Sequence, residues 1–234
     1  MKKENAKTSI ILVHGAFADG SSWNKVIPIL EGQGFTVTAV QNPLKALTED
    51  VATTKRAIES QKNENVILVG HSYGGAVITE AAVGNPKVKA LVYVAAFAPD
   101  AGEALGGLIE RFSPSPLGTA VVPDSAGFLF IDRAKFQSVF ANDLPEAEAS
   151  VLAAAQKPLS ASIFGEPIKA AAWKNIPSWY VVSTQDNSIN PDLQRFMAKR
   201  MGAKTREIQA SHVSFISNPS QIAKVIESAA ASIS

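Results

Sequence analysis

The sequence predicts a doubly wound α/β architecture: a mostly parallel six-stranded sheet with helices on both faces and a helical cap inserted into it. Three observations carry this reading. Six short runs rich in β-branched or apolar residues recur along the chain. Segments of helical length separate most of them, the βαβ signature of a parallel sheet. Four of the six are apolar nearly throughout, as strands covered on both faces must be.

The candidate strands are residues 9–13, 35–40, 65–69, 90–95, 179–183 and 204–208. The last helix is the clearest single element. Asn218 is suited to cap it, Pro219 to open it, and Gln221 stands where a capping-box partner would reach back. Ile222, Val225, Ile226, Ala229, Ala230 and Ile233 then recur at three- and four-residue steps, one apolar stripe for the sheet. Between residues 98 and 176 the alternation fails. A Pro- and Gly-rich loop (Pro99, Pro114, Pro116, Pro123) leads into helical patterns over 132–140 and 145–156. This stretch has too little repeating apolar pattern for a core of its own, so a cap is expected rather than a second domain. With 46% hydrophobic residues in 234, the chain needs no disulfide or metal to build its core, and 1–234 reads as one domain.

Composition excludes several function classes. Lys plus Arg number 22 against 21 Asp plus Glu, and a net charge of +1 makes no field to gather phosphate backbones or anionic lipid. Neither nucleic acid nor membrane is an expected partner. No Cys occurs, which removes disulfides, thiolate metal sites and cysteine nucleophiles together. His14, His71 and His212 are the three histidines, too few for most zinc or non-haem iron centres, so no metal or cofactor is expected. Residues 1–9 are polar and basic and the apolar run 10–13 is short, a pattern of neither signal peptide nor membrane span. A cytoplasmic protein is the expectation, with homodimerisation left open.

The strand at 65–69 runs into Gly70-His71-Ser72-Tyr73-Gly74-Gly75, and a helix-compatible stretch follows at 76–83. This is G-x-S-x-G between strand and helix, the context in which the pattern marks a nucleophile. A serine there projects its hydroxyl from a strained turn. The residues two before and two after crowd the backbone, which asks for Gly70 and Gly74. The same turn sets the Tyr73 N–H at a helix N-terminus, where the dipole favours a developing oxyanion.

Ser72 needs a base. His71 adjoins it on the turn and points away, and His14 belongs to the end of the first strand, so His212 remains. It lies after the last strand and before the last helix, at the carboxyl edge where ligands bind in open α/β folds. The orienting carboxylate is Asp186, after the strand 179–183, with Asp100 the alternative beyond the preceding strand; Asp192 reads as a first-turn helix residue. After the first strand, His14-Gly15-Ala16-Phe17 offers a second oxyanion donor from the N–H of Ala16, or failing that of Phe17, while His14 orders the loop. Trp23 reads as packing.

These segments resemble the α/β-hydrolases of the group that contains plant methylesterases, hydroxynitrile lyases and small bacterial esterases. The likeness spans nearly the whole chain: His14-Gly15-Ala16 with Trp23 is similar to the oxyanion loop, Gly70 to Gly75 to the elbow, Asp186 to Ile189 to the acid loop, and Ser211-His212-Val213 with Asn218-Pro219 to the histidine loop. The resemblance implies a compact form lacking the two leading strands of the full fold. It also implies a serine esterase with Ser72, Asp186 and His212 as its triad, the N–H groups of Ala16 and Tyr73 as its oxyanion hole, and a small-molecule ester as its substrate. The lyases of the group carry Lys directly after the catalytic His; Val213 stands there, which favours hydrolysis. Lyase or cofactor-free oxygen chemistry on the same triad, and a ligand receptor on a hydrolase scaffold, are the alternatives. Phe112, Phe128, Phe130, Phe164 and Trp173 are the cap residues that either line the acyl or alcohol pocket or simply pin the cap to the sheet.

Overall fold

In the computed structural model, which describes residues 5–233, the chain runs β1 (Thr8–Val13), α1 (Ile27–Gly32), β2 (Thr36–Val40), α2 (Leu47–Glu59), β3 (Asn65–His71), α3 (Tyr73–Ala81) and β4 (Val88–Val94). Then follow α4 (Leu105–Ile109), β5 (Val121–Pro123), β6 (Phe128–Ile131), α5 (Phe136–Phe140), α6 (Glu146–Ala155) and β7 (Leu159–Ser160). β8 (Ser178–Ser183), α7 (Pro191–Arg200), β9 (Lys204–Ile208), α8 (Ser214–Ser217) and α9 (Pro219–Ala231) close the chain. The opening residues 1–4 of the polar amino-terminal stretch lie outside the described residues.

All six strands expected from the sequence form one sheet, in the order β2-β1-β3-β4-β8-β9, with every pairing parallel. Burial follows position. β1, β3, β4 and β8 are buried along almost their whole length, whereas of the edge strands β2 is mostly half-buried and β9 mostly exposed. That is why four runs are apolar throughout and two are not. β4 starts earlier than the expected 90–95 and stops at Val94, because Ala95 turns to a φ of 43° and leaves the ladder. From β1 the chain first builds outward to β2, then returns to place β3 on the other side. The order therefore reverses between β1 and β3, and the crevice at their carboxyl ends is the topological switch point.

The expected stripe of α9 is buried at Ile222, Val225, Ile226, Ala229 and Ala230, and Ile233 is partly buried. The expected capping box does not form. Gln221 Nε2 donates to Asn218 Oδ1 at 3.1 Å, so the two side chains satisfy each other and not the backbone. The stretch 98–176 holds the expected helices in shortened form, α5 and α6. It also holds a three-stranded antiparallel sheet, β5-β6-β7, that a purely helical reading omits. Those strands have two to four residues, too few for alternation to register in the sequence. Among the described residues no helix is long and apolar enough to cross a membrane.

Candidate active site

β3 delivers Ser72 to the switch point. Its φ of 53° and ψ of −125° are a strained conformation for a residue with a side chain, costing about 1–3 kcal/mol. The glycines around it are sterically required. A Cβ on Gly70 would meet the Gly74 oxygen at 2.6 Å, and one on Gly74 would meet the Val13 oxygen at 2.4 Å. The elbow is thus pressed against the end of β1, and backbone cannot yield as a side chain can. Gly74→Ala is expected to destabilise the fold by on the order of 3 kcal/mol, lowering the melting temperature by roughly 10 °C. An unshifted melting curve would show that this contact is not tight.

β9 and α8 hold His212 between them. Its Nδ1 donates to Asp186 Oδ2 at 2.7 Å, with both side chains buried. Asp186 is held from four directions. Oδ1 accepts from the N–H groups of Ser188 (2.7 Å) and Ile189 (3.0 Å), and Oδ2 accepts from Gln194 Nε2 at 2.8 Å as well as from His212. Gln194 is itself fixed, donating to Ile189 O and accepting from Ser183 N. Four donors on one buried carboxylate satisfy its oxygens and fix its orientation toward His212. Asp100 lies elsewhere: it is paired with Lys174 at 2.5 Å on a partly exposed turn. Asp192 is in the first turn of α7, as read from the sequence, and bonds Arg195.

His71 turns away from Ser72, as expected, and its surroundings explain why. Its Nε2 donates to His212 O at 2.9 Å, and its ring lies 4.6 Å from that of His212 and 4.5 Å from Phe215. It therefore backs the His212 loop. His14 ties the β1 loop to the segment after β2: its Nδ1 donates to Gly15 O, its Nε2 accepts from Asn42 N, and Asn42 Nδ2 donates to His14 O. Trp23 is fully buried, 4.3 Å from Phe215.

Burial depresses both auxiliary histidines, His14 to about 4 and His71 well below its ordinary 6.5. Both are neutral when folded, so the unfolded chain binds more protons below pH 6.5. Stability is then present above pH 6.5 and lost as the pH falls through about 4, with His14 alone contributing about 3 kcal/mol. Asp50, raised chiefly by burial, works in the opposite sense. The melting temperature is expected to fall steeply between pH 6.5 and 4, and less steeply in His14→Gln; identical profiles for the two proteins would contradict this assignment.

Ser72, His212, Ala16 and Tyr73 line one narrow cavity of about 40 Å³. Its remaining walls are almost wholly apolar: Phe17, Phe97 and Ile189 from the sheet side, and Leu105, Ile109, Leu117, Phe140, Leu159 and Phe164 from the stretch 98–176. Of the five aromatic cap residues that were candidates either to line it or to pin the cap to the sheet, Phe164 alone lines it. Phe112 packs on Phe196, Phe128 and Phe130 belong to β6, and Trp173 donates to Pro99 O under the cation of Arg200. Tyr73 is anchored at its far end, donating from its hydroxyl to the buried Asp50 at 2.6 Å.

The alpha/beta hydrolase family model matches residues 10–225. The chain is an α/β hydrolase. Methylesterase 2 of Arabidopsis thaliana is 28% identical over 225 residues, which cover 84% of this α/β hydrolase and 85% of that protein. Salicylic acid-binding protein 2 of Nicotiana tabacum is also 28% identical, over 248 residues covering 91% and 93%. Among solved structures, a pyrethroid hydrolase from Sphingobium faniae JZ-2 superposes with a TM-score of 0.81 at 25% identity, over 95% of this chain and 97% of that one.

Gln194 and Asp50 escaped the sequence reading, although a signal was there. Gln194, Met197, Ala198 and Met201 share one helical stripe, as do Leu47, Asp50, Val51, Thr54 and Ile58. A polar residue on an apolar stripe calls for a buried partner.

Proposed function

We propose that this α/β hydrolase cleaves small to medium, mainly uncharged carboxylic esters through an acyl-enzyme on Ser72. Ser72 Oγ attacks the ester carbonyl while His212 takes its proton. Because Nδ1 is committed to Asp186, Nε2 is the ring nitrogen that acts. The oxyanion is held by the N–H groups of Ala16 and Tyr73, worth about 3 kcal/mol for each donor. As the tetrahedral intermediate collapses, the carbonyl carbon loses the alkoxide and His212 hands it the proton. Water, deprotonated by the same nitrogen, then attacks the acyl group and frees the acid and Ser72. In this reading residues 1–234 act as one domain, with 98–176 as the cap that covers Ser72, shields the site from bulk solvent and shapes its apolar pocket.

One observation carries the proposal: a single apolar cavity lined by Ser72, by His212 with its 2.7 Å bond to Asp186, and by both expected oxyanion donors. Relatives named as methylesterases and a pyrethroid hydrolase support ester chemistry. The lyase alternative, which a partial match to an α-hydroxynitrile lyase of Arabidopsis thaliana raises (36% identity over 48% of this chain), is weakened by the buried Val213 beside His212.

No cationic side chain lines the cavity among the described residues. Burying a second carboxylate there would leave it unpaired. A panel of methyl esters of graded acyl length tests the reading: neutral esters are expected to exceed their free-carboxylate counterparts in kcat/KM by at least about tenfold. A preference for the charged esters would overturn it.

A further inference from the structure

Behind the cavity at Ser72 lies a second hollow of about 170 Å³, four times as large, and the two share only Phe17 and Phe140. These rings meet edge to face, their centroids 6.3 Å apart, and both are buried. Phe140 also packs against the His212 ring at 5.0 Å. The inner cavity has room for only about three waters, too little for an acyl group and a bulky alcohol together. Phe17 is held at a φ of 58°, an uncommon conformation for a bulky residue, which persists only where the surroundings impose it. A strained aromatic residue directly after Ala16 thus forms part of the wall between the two spaces.

The two spaces have different walls. Ser72 and His212 themselves line the inner cavity, together with Leu105, Ile109 and Phe164 of the cap. The outer hollow is walled by Val213, Phe215 and Ile216, the residues that follow His212, and by Val151, Leu152 and Ala155 of α6. Its charges are already engaged: Asp19 accepts from Ser21, and Glu148 pairs with Lys25 at 2.5 Å. Val151 is 67% exposed, an apolar side chain with no cover. In the reaction proposed above the leaving alcohol must receive its proton from His212, so it departs on the His212 side.

We propose, resting on that reading, that the outer hollow is the subsite for the alcohol half of the ester. Its ligand is an uncharged alkyl or aryl alcohol, and Phe17 and Phe140 are the partition that the bound substrate displaces. Small alcohols fit without disturbing the rings; longer ones cross between them and lie along α6. The inner cavity keeps the acyl group, so acyl and alcohol preferences are set by different residues.

Two ester series separate the possibilities: one varies the alcohol from methyl to octyl at a fixed acyl group, the other varies the acyl group at a fixed methyl. Phe140→Ala is expected to raise the octyl-to-methyl ratio of kcat/KM by about tenfold or more. Ala155→Trp, which fills the hollow from its exposed rim, is expected to lower that ratio while the acyl-series ratios stay within about twofold. An alcohol ratio unmoved by either substitution, or acyl ratios that move in its place under Ala155→Trp, would overturn the subsite. Wild-type turnover of the methyl ester is the control. If it is present and the ratios do not respond, the subsite alone is wrong; if it is absent, the esterase reading fails and the subsite with it.

Discussion

Replacing Ser72 with alanine is expected to lower kcat for a neutral ester by a factor of about 10⁶, because triad members act as a unit and the loss of one removes most of what all supply. What remains would come from the oxyanion donors and binding alone. The fold should survive. Ser72 sits at a φ of 53° that alanine tolerates no worse. Stopped assays beside a melting curve check both halves: activity gone with the melting temperature kept is the expected result. A Ser72→Ala protein with undiminished turnover would place the nucleophile elsewhere.

The second large effect concerns the carboxylate. Asp186→Asn leaves the shape of the site but offers His212 Nδ1 an amide in place of a carboxylate, which favours the wrong tautomer and costs on the order of 10⁴ in kcat. Asp100→Asn breaks only the partly exposed pair with Lys174, and its cost in turnover is expected to stay within about twofold. Parallel kcat measurements on the two variants decide between them. A large loss in Asp100→Asn with little in Asp186→Asn would contradict the geometry around His212.

In the sequence, Asp186 and Asp100 are separable only by preference, since each follows a sheet strand at the same edge. Their surroundings differ in three dimensions: two donors to Asp186 come from its own loop, the N–H groups of Ser188 and Ile189, but Gln194 of α7 and His212 reach it from farther along the chain, which no local pattern encodes. Ser72 was legible for the opposite reason. Its signal is local, a glycine-flanked turn whose clashes involve Gly70, Gly74 and the end of β1. His212 followed by elimination among three histidines. The central strands were legible because burial on both faces leaves them apolar throughout, whereas β5, β6 and β7 are too short to show a period. The cap was the least legible part. Which cap aromatics reach the cavity depends on how the stretch 98–176 folds back: Phe112 packs on Phe196, Trp173 bonds Pro99, Phe128 and Phe130 do not line it, and Phe140 does, joined by Phe17 and Phe97 from outside the cap.

The central claim is that an acyl group passes through Ser72, and the most direct measurement is of that intermediate itself. The enzyme would be mixed with excess of a neutral ester carrying a good leaving group, quenched in acid during steady turnover, digested, and its peptides weighed. The expected result is a peptide spanning Gly70 to Gly75 heavier by the acyl group less one hydrogen, with fragmentation placing the addition on Ser72 and the adduct absent from Ser72→Ala. Acylation of another residue, or steady turnover that leaves Ser72 unmodified under conditions where release of the acid is rate-limiting, would contradict it.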